Sequence, residues 1–318
     1  MSRPLVRTAG ALPIEMTESD LGKTSSAITQ SRLFDLGQLD CRWDEDLRTL
    51  WTYMTPQDRP SFNLAMLRDF ETWQSEIMRT ADTSDDSMQY LVLGSRFPHV
   101  FNYGGDLELF TRHILKGDRA ALAAYGRACV RILYANMNGL GLPIITIGLV
   151  QGEALGGGFE SLLSFNVVIA ERGSRFGLPE AMFGLFPGMG AHSILGRRIG
   201  SAKADEMIRT GRTYTAEELY DLGLVQVLAE PGEGEHVVAD YIRRNRRSHA
   251  GQHGAYRAQR LVDNISLREL EDIVDIWAEA ALGLTPTQLK MMARLANAQM
   301  RLSTVAAPTS SSNLTVAS

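Results

Sequence analysis

Three consecutive glycines placed behind an apolar run leave this chain few architectures. Residues 144–150, opened by Pro143, read as a buried strand. Gly152 follows, then Gly156-Gly157-Gly158, then a helical run over 159–163. The order is strand, glycine turn, helix. Glycines in such a turn let the backbone approach a ligand closely, with N–H groups pointing outward. The helix that starts there adds the positive end of its dipole. The site suits a developing negative charge, although a tight turn without a ligand fits the glycines equally well.

The same alternation extends in both directions. Leu64, Leu67, Phe70, Trp73 and Ile77 fall at helical spacing, and Tyr90-Leu-Val-Leu-Gly94 is a short strand candidate. Residues 113–137 read as one long helix. Residues 166–170 and 175–178 read as further strands, and residues 212–222 begin another helical region, in which Thr215-Ala-Glu-Glu218 resembles a capping box. The register of residues 40–59, where aromatics mix with charges, is unclear. Alternating strand and helix signals argue for an α/β fold with parallel strands. Four segments are expected: a flexible arm over 1–30, a core over 31–230, a helical lid or oligomerisation segment over 231–302, and a flexible tail over 303–318.

Composition narrows the function. The net charge of −5 argues against general nucleic-acid binding. Cys41 and Cys129 lie in no paired or metal-ligand spacing, and the six histidines form no ligand motif, so no metal is expected. No run is long and apolar enough for a signal peptide or a membrane span, which points to a cytoplasmic protein. There is no GxSxG nucleophile elbow.

Two carboxylates stand beside the turns. Glu160 comes two residues after the triple glycine, and Glu180 follows Leu178-Pro179. Taken alone, each reads first as an acid at a helix N-terminus. Taken together, both follow strand-to-loop transitions, and such positions gather at one edge of an α/β sheet. Two carboxylates in an apolar pocket repel one another, so one is held protonated and serves as acid while the other serves as base. Phe159, Phe176, Leu178, Met182, Phe183 and Phe186 are candidates for the apolar surroundings, or for ordinary core.

The linked motifs Gly156-Gly-Gly-Phe-Glu160, Phe176-Gly-Leu-Pro-Glu180 and Phe186-Pro-Gly-Met-Gly190 resemble the crotonase (enoyl-CoA hydratase/isomerase) superfamily signature in order and spacing. The resemblance runs from about residue 51 to 228. It implies a crotonase-like spiral of ββα units with a mainly helical C-terminal segment. It also implies an oxyanion hole built from two backbone N–H groups, at Gly157 and at Gly105 in the loop Phe101-Asn-Tyr-Gly-Gly-Asp106. Glu160 and Glu180 match the two catalytic glutamates of the hydratases. Tyr103, which stands where the family has a small residue, joins Phe159, Met182 and Phe186 as expected pocket residues.

A narrower resemblance is to the RpfF-like diffusible signal factor synthases. It rests on Gln151-Gly-Glu-Ala-Leu155, on Leu185-Phe-Pro-Gly-Met-Gly-Ala191, and on the tail Asp272-Ile-Val-Asp-Ile-Trp-Ala-Glu-Ala-Ala-Leu-Gly-Leu284. That branch implies dehydration of a 3-hydroxyacyl carrier-protein thioester, then thioester hydrolysis, giving a cis-2-unsaturated fatty acid signal with no cofactor. Glu180 is expected to move the proton at carbon and Glu160 the one at the hydroxyl or water. The implied partners are an acyl carrier protein or acyl-CoA thioester, a sensor-kinase regulator, and copies of itself in a trimer or hexamer. Ser61-Phe-Asn-Leu-Ala65 departs from the stretch usual in CoA-using members. The run Arg243-Arg244-Asn-Arg246-Arg247 is a candidate dock for an acidic carrier protein, or a solvated helix face. A plain enoyl-CoA hydratase and a non-catalytic binding shell are the alternative readings.

Overall fold

A computed structural model describes residues 34–81 and 87–305. The expected arm over 1–30 and the tail beyond residue 305 lie outside the described residues. The chain enters on a hairpin, β1 (Leu39–Asp44) and β2 (Thr49–Met54), antiparallel with Leu39 opposite Met54. This resolves residues 40–59, where the charges of β1 face out and obscure its alternation. Helix α1 (Leu64–Thr80) begins at Asn63, whose side chain accepts from Met66 N at 2.8 Å.

A repeating unit then sets in. The first turn is β3 (Tyr90–Ser95), β4 (Val100–Asn102), α2 (Leu107–Leu115) and α3 (Arg119–Met137). The second is β5 (Ile145–Val150), β6 (Glu153–Leu155) and α4 (Gly157–Leu162). The third is β7 (Val167–Glu171), β8 (Arg175–Gly177), a 3-10 turn over Pro179–Phe183, and α5 (Ala191–Ile199). Each turn gives its first strand to a long sheet and its second to a short one. Helix α6 (Ser201–Thr210), β9 (Thr213–Thr215), α7 (Ala216–Asp221) and β10 (Val227–Ala229) close the spiral. The long sheet runs β1-β2-β3-β5-β7-β10, parallel after the first pair; the short one runs β4-β6-β8-β9. Helices α8 (Gly234–Asn245), α9 (His249–Asp263), α10 (Leu267–Leu282) and α11 (Pro286–Val305) make the C-terminal segment helical, with α11 running past residue 302. None of the described helices is long and apolar enough to cross a membrane.

Side-chain alternation explains why the long sheet is buried on both faces. Leu91 and Leu93 of β3 enter the main core, while Tyr90 and Val92 turn to a second core with Ile145, Ile147 and Ile169. Val238 and Ile242 of α8 cover that second face.

Two expectations need correction. Residues 113–137 are not one helix. The chain breaks at Gly117, whose φ of +66° no helix accommodates, and Asp118 recaps it by accepting from Ala121 N at 3.0 Å. The region 212–222 is not all helix either: Thr213–Thr215 pair with β8, and the helix starts only at Thr215. The capping box itself is present, with Glu218 N donating to Thr215 Oγ1 and Thr215 N to Glu218 Oε2.

Candidate active site

The short sheet determines where the chemistry gathers. Strands β4, β6 and β8 are parallel neighbours, with Val100 beside Glu153 and Glu153 beside Arg175. Their C-terminal ends therefore lie side by side. The loop after β4 carries Gly104 and Gly105, the turn after β6 carries Gly156 to Glu160, and the turn after β8 carries Glu180. All converge on one cavity of about 600 Å³, lined by Gly105, Gly157, Glu160 and Glu180 among others.

The glycines are there because nothing larger fits. A Cβ on Gly104 would strike Gly157 N, and one on Gly158 would strike Asn102 O. Gly156 combines φ +53° with ψ −130°, and a Cβ there would sit 2.6 Å from Glu180 Oε1. The β4 loop is pinned by Phe62 N donating to Gly104 O (2.8 Å), Tyr103 N to Pro60 O (2.7 Å) and Gly104 N to Asn102 Oδ1 (2.7 Å). The N–H groups of Gly105 and Gly157 are left without an acceptor among the described residues. A Cβ built on Gly157 would lie 3.5 Å from Gly105 N, so the two donors are close neighbours. Paired free amides at a helix start can hold an oxyanion.

Glu160 is buried, at 1 % exposure. Its carboxylate does not cap its own helix. Oε1 accepts from Met189 N at 2.8 Å and from Ala191 N, the first residue of α5, at 3.1 Å. Glu180 is held differently. Its backbone O accepts from Leu185 N at 3.0 Å, but Oε2 is buried with no partner among the described residues. Burial raises the pKa of Glu160, and its two backbone donors pull the other way. Burial raises Glu180 too, and the charge of Glu160 adds to it. Where the pair carries one proton, it rests on Glu180, with Glu160 ionised.

The expected pocket residues divide. Tyr103 lines the cavity, and its hydroxyl donates to Glu153 Oε2 at 3.0 Å. Phe159 does not line it: the ring is core, edge-on to Phe176 at 5.6 Å. Met182 points outward at 63 % exposure, because the 3-10 turn presents Phe183 to the cavity instead. Phe186 is half-buried against His192, 5.7 Å between rings, and is not part of the lining.

Sequence reasoning missed Met189, Phe110, Tyr125, Trp277 and Leu295, all lining residues. Trp277 of α10 packs on Gly188, where a Cβ would lie 2.7 Å from its ring, so the C-terminal helices close the cavity. Met189 also lines a second, almost wholly apolar chamber of about 470 Å³ with Phe62, Leu67, Phe70, Trp73 and Leu133. Its side chain therefore stands between the two spaces.

The Arg243–Arg247 run lies elsewhere. Arg243 pairs with Asp240 at 2.8 Å and Arg246 donates to Asp46 O at 2.9 Å. The run ends α8, which covers the second core, whereas the cavity is built from main-core residues.

Residues 56–255 match the enoyl-CoA hydratase/isomerase family profile. A fatty acid oxidation complex subunit alpha from Idiomarina loihiensis is 32 % identical over 170 residues, 54 % of this chain and 22 % of that one. The same subunit from Pseudomonas savastanoi pv. phaseolicola is 29 % identical over 204 residues, 63 % of this chain and 27 % of that one. The match thus spans less than a third of these relatives. Among solved structures, an enoyl-CoA hydratase from Bacillus halodurans superposes with TM-score 0.66 at 21 % identity, covering 81 % of this chain and 100 % of that one. DspI of Pseudomonas aeruginosa superposes with TM-score 0.63 at 23 % identity, covering 75 % and 87 %. At these identities the superpositions speak to the fold.

Proposed function

The chain belongs to the enoyl-CoA hydratase/isomerase family, and from that premise we propose that it dehydrates a 3-hydroxyacyl thioester of a fatty acid and then hydrolyses the thioester, releasing a 2-unsaturated fatty acid of the diffusible signal factor kind. One observation carries the reading. Two glutamates and two free backbone N–H groups face one cavity, and an almost wholly apolar chamber adjoins it through Met189. The narrower motif resemblance supports the signal-synthase branch.

The proton bookkeeping follows from the single proton that Glu160 and Glu180 share. Dehydration starts with that proton on Glu160. Glu180 takes the α-proton, and the amides of Gly105 and Gly157 hold the enolate oxygen. Glu160 protonates the departing 3-hydroxyl, which leaves as water. The pair ends with Glu180 protonated and Glu160 ionised, the arrangement that burial and the Met189 and Ala191 donors favour. Ionised Glu160 is then set to take a proton from water as it attacks the thioester carbonyl. The tetrahedral oxyanion occupies the same hole, and as it collapses the sulfur leaves with the proton held by Glu180, which returns the pair to one proton, on Glu160. Neither step calls for a cofactor.

Plain hydration of an enoyl-CoA is the second reading, favoured by the names of the curated relatives. It uses the same residues from the resting arrangement: Glu160 activates water and Glu180 protonates the α-carbon. The test is mass spectrometry of the protein incubated with 3-hydroxydodecanoyl thioesters of carrier protein and of CoA. Free 2-dodecenoic acid, lost in Glu160→Ala, is the expected product. An enoyl product that stays attached to its thiol would instead establish the hydratase.

A further inference from the structure

A polar cavity of about 550 Å³ lies beyond the far ends of the two helices that frame the site. It takes Asn166 from the turn after α4, Arg198 from the last turn of α5, and Tyr256, Gln259, Arg260 and Asp263 from α9. Among the described residues, its two arginines lack the carboxylate partners that others in this molecule have. The neighbouring Arg197 is held by both oxygens of Glu269, at 2.8 and 3.0 Å, and Arg127 by both oxygens of Asp275. Arg198 instead makes one long hydrogen bond, to Phe165 O at 3.4 Å. Arg260 makes one to Met137 O at 3.3 Å. Neither forms an ion pair among the described residues, and neither does Asp263. Most of the ten N–H donors of two guanidiniums, about five each, thus remain without protein acceptors.

We propose that this cavity binds a compact oxyanion, a phosphate or carboxylate group, clamped between Arg198 and Arg260. A guanidinium presents a planar fork that matches two oxygens of such a group. Two cations against the single carboxylate of Asp263 leave the cavity positive, and Asp263 restricts the occupant to one that fits beside it. Asn166 spends its carbonyl oxygen on Thr146 N, at 3.0 Å, so its amide N–H groups are available to the same ligand. Neither arginine lines the glutamate cavity, so the proposal stands apart from the reaction.

The experiment is calorimetric titration of the full chain with inorganic phosphate and, separately, with succinate, at constant ionic strength. Saturable binding of at least one is expected, and the stronger arm identifies the source as phosphate or carboxylate. Arg198→Gln and Arg260→Gln should each weaken it by about tenfold or more, whereas Glu160→Gln should leave it unchanged. Helix α9 buries none of its side chains, so Arg260→Gln does not put folding in question. Absence of saturable binding at millimolar concentration, or binding unaltered in Arg260→Gln, overturns the proposal.

Discussion

The turns that carry Glu160 and Glu180 place the same side chain in the same cavity and treat it in opposite ways. The Glu160 turn is a helix start whose carboxylate reaches across to two N–H groups at the head of α5. The Glu180 turn is a short 3-10 segment that fixes the backbone and leaves Oε2 buried and bare. Donors stabilise a carboxylate, and a bare buried oxygen stabilises the acid. Which member of the pair rests ionised and which protonated is thus set by what the surrounding backbone donates, and the residue type contributes nothing to the distinction.

The comparison breaks most directly by making the two positions alike. Glu160→Gln and Glu180→Gln should each lower turnover by about 10²–10⁴-fold, with the double variant no worse than the poorer single one, because the two act as one proton-sharing unit. Additive losses in the double variant would mean that the glutamates work independently. Next in size is the hole. A Cβ on Gly157 would lie 2.6 Å from Met189 Sδ, so Gly157→Ala should displace the residue that holds Glu160 and disturb the donor pair together. A loss of about 10²–10³-fold in kcat is expected, read alongside the thermal midpoint of the same variant so that lost turnover is separated from lost fold.

The chamber offers a sharper version of the comparison, since Met189 serves Glu160 through its backbone and the chamber through its side chain. Met189→Ala retains the N–H and widens the passage. Turnover of long acyl chains relative to short ones should rise by roughly tenfold, on the scale that a few methylenes carry in an apolar pocket. A uniform loss across chain lengths would show that the chamber takes no part in binding the chain.

A smaller effect is in stability. Both glutamates have folded-state pKa values raised by burial. A raised value stabilises the fold below the ordinary carboxylate range of about 4.3, and that contribution is lost as pH rises through the folded value. Glu180→Gln cannot ionise. Its stability relative to the native chain should therefore be near zero at pH about 5 and improve by roughly 1–3 kcal/mol at pH about 9. Urea unfolding at both values measures this, and an identical gap at the two would exclude a raised pKa at Glu180.

The fold and the two glutamates were legible because their signals are local. Strands β3, β5 and β7 are continuous apolar runs, and the glycine turn sits within a few residues of Glu160. The rest depended on contacts distant along the chain. Nothing near Met182 and Phe183 says which of the two faces inward; the 3-10 turn decides it, and α11 packs against that turn through Gln288, beside Gly184. Phe159 looked like pocket because it adjoins Glu160, but the helical twist directs it into the core beside Phe176. Trp277 enters the sequence reading only as one residue of the tail from Asp272 to Leu284, and its position over Gly188 exists once α10 folds back.

The smallest expected effect tests whether the comparison needs a third member. Tyr103 stands in the cavity wall with its hydroxyl on Glu153, so a phenol shares the cavity with the pair. Burial and the Glu153 charge raise the phenol's pKa, which makes it a poor proton donor at neutral pH. The loop itself is pinned by the Tyr103 and Gly104 backbones, so the hydroxyl is not what positions Gly105. Tyr103→Phe should therefore cost about 0.5–1.5 kcal/mol of stability at most and change kcat/KM by less than about threefold, well under 1 kcal/mol. A fall comparable with Glu180→Gln, and with a shifted pH profile, would make Tyr103 a third proton-transfer group and end the account of a site run by two.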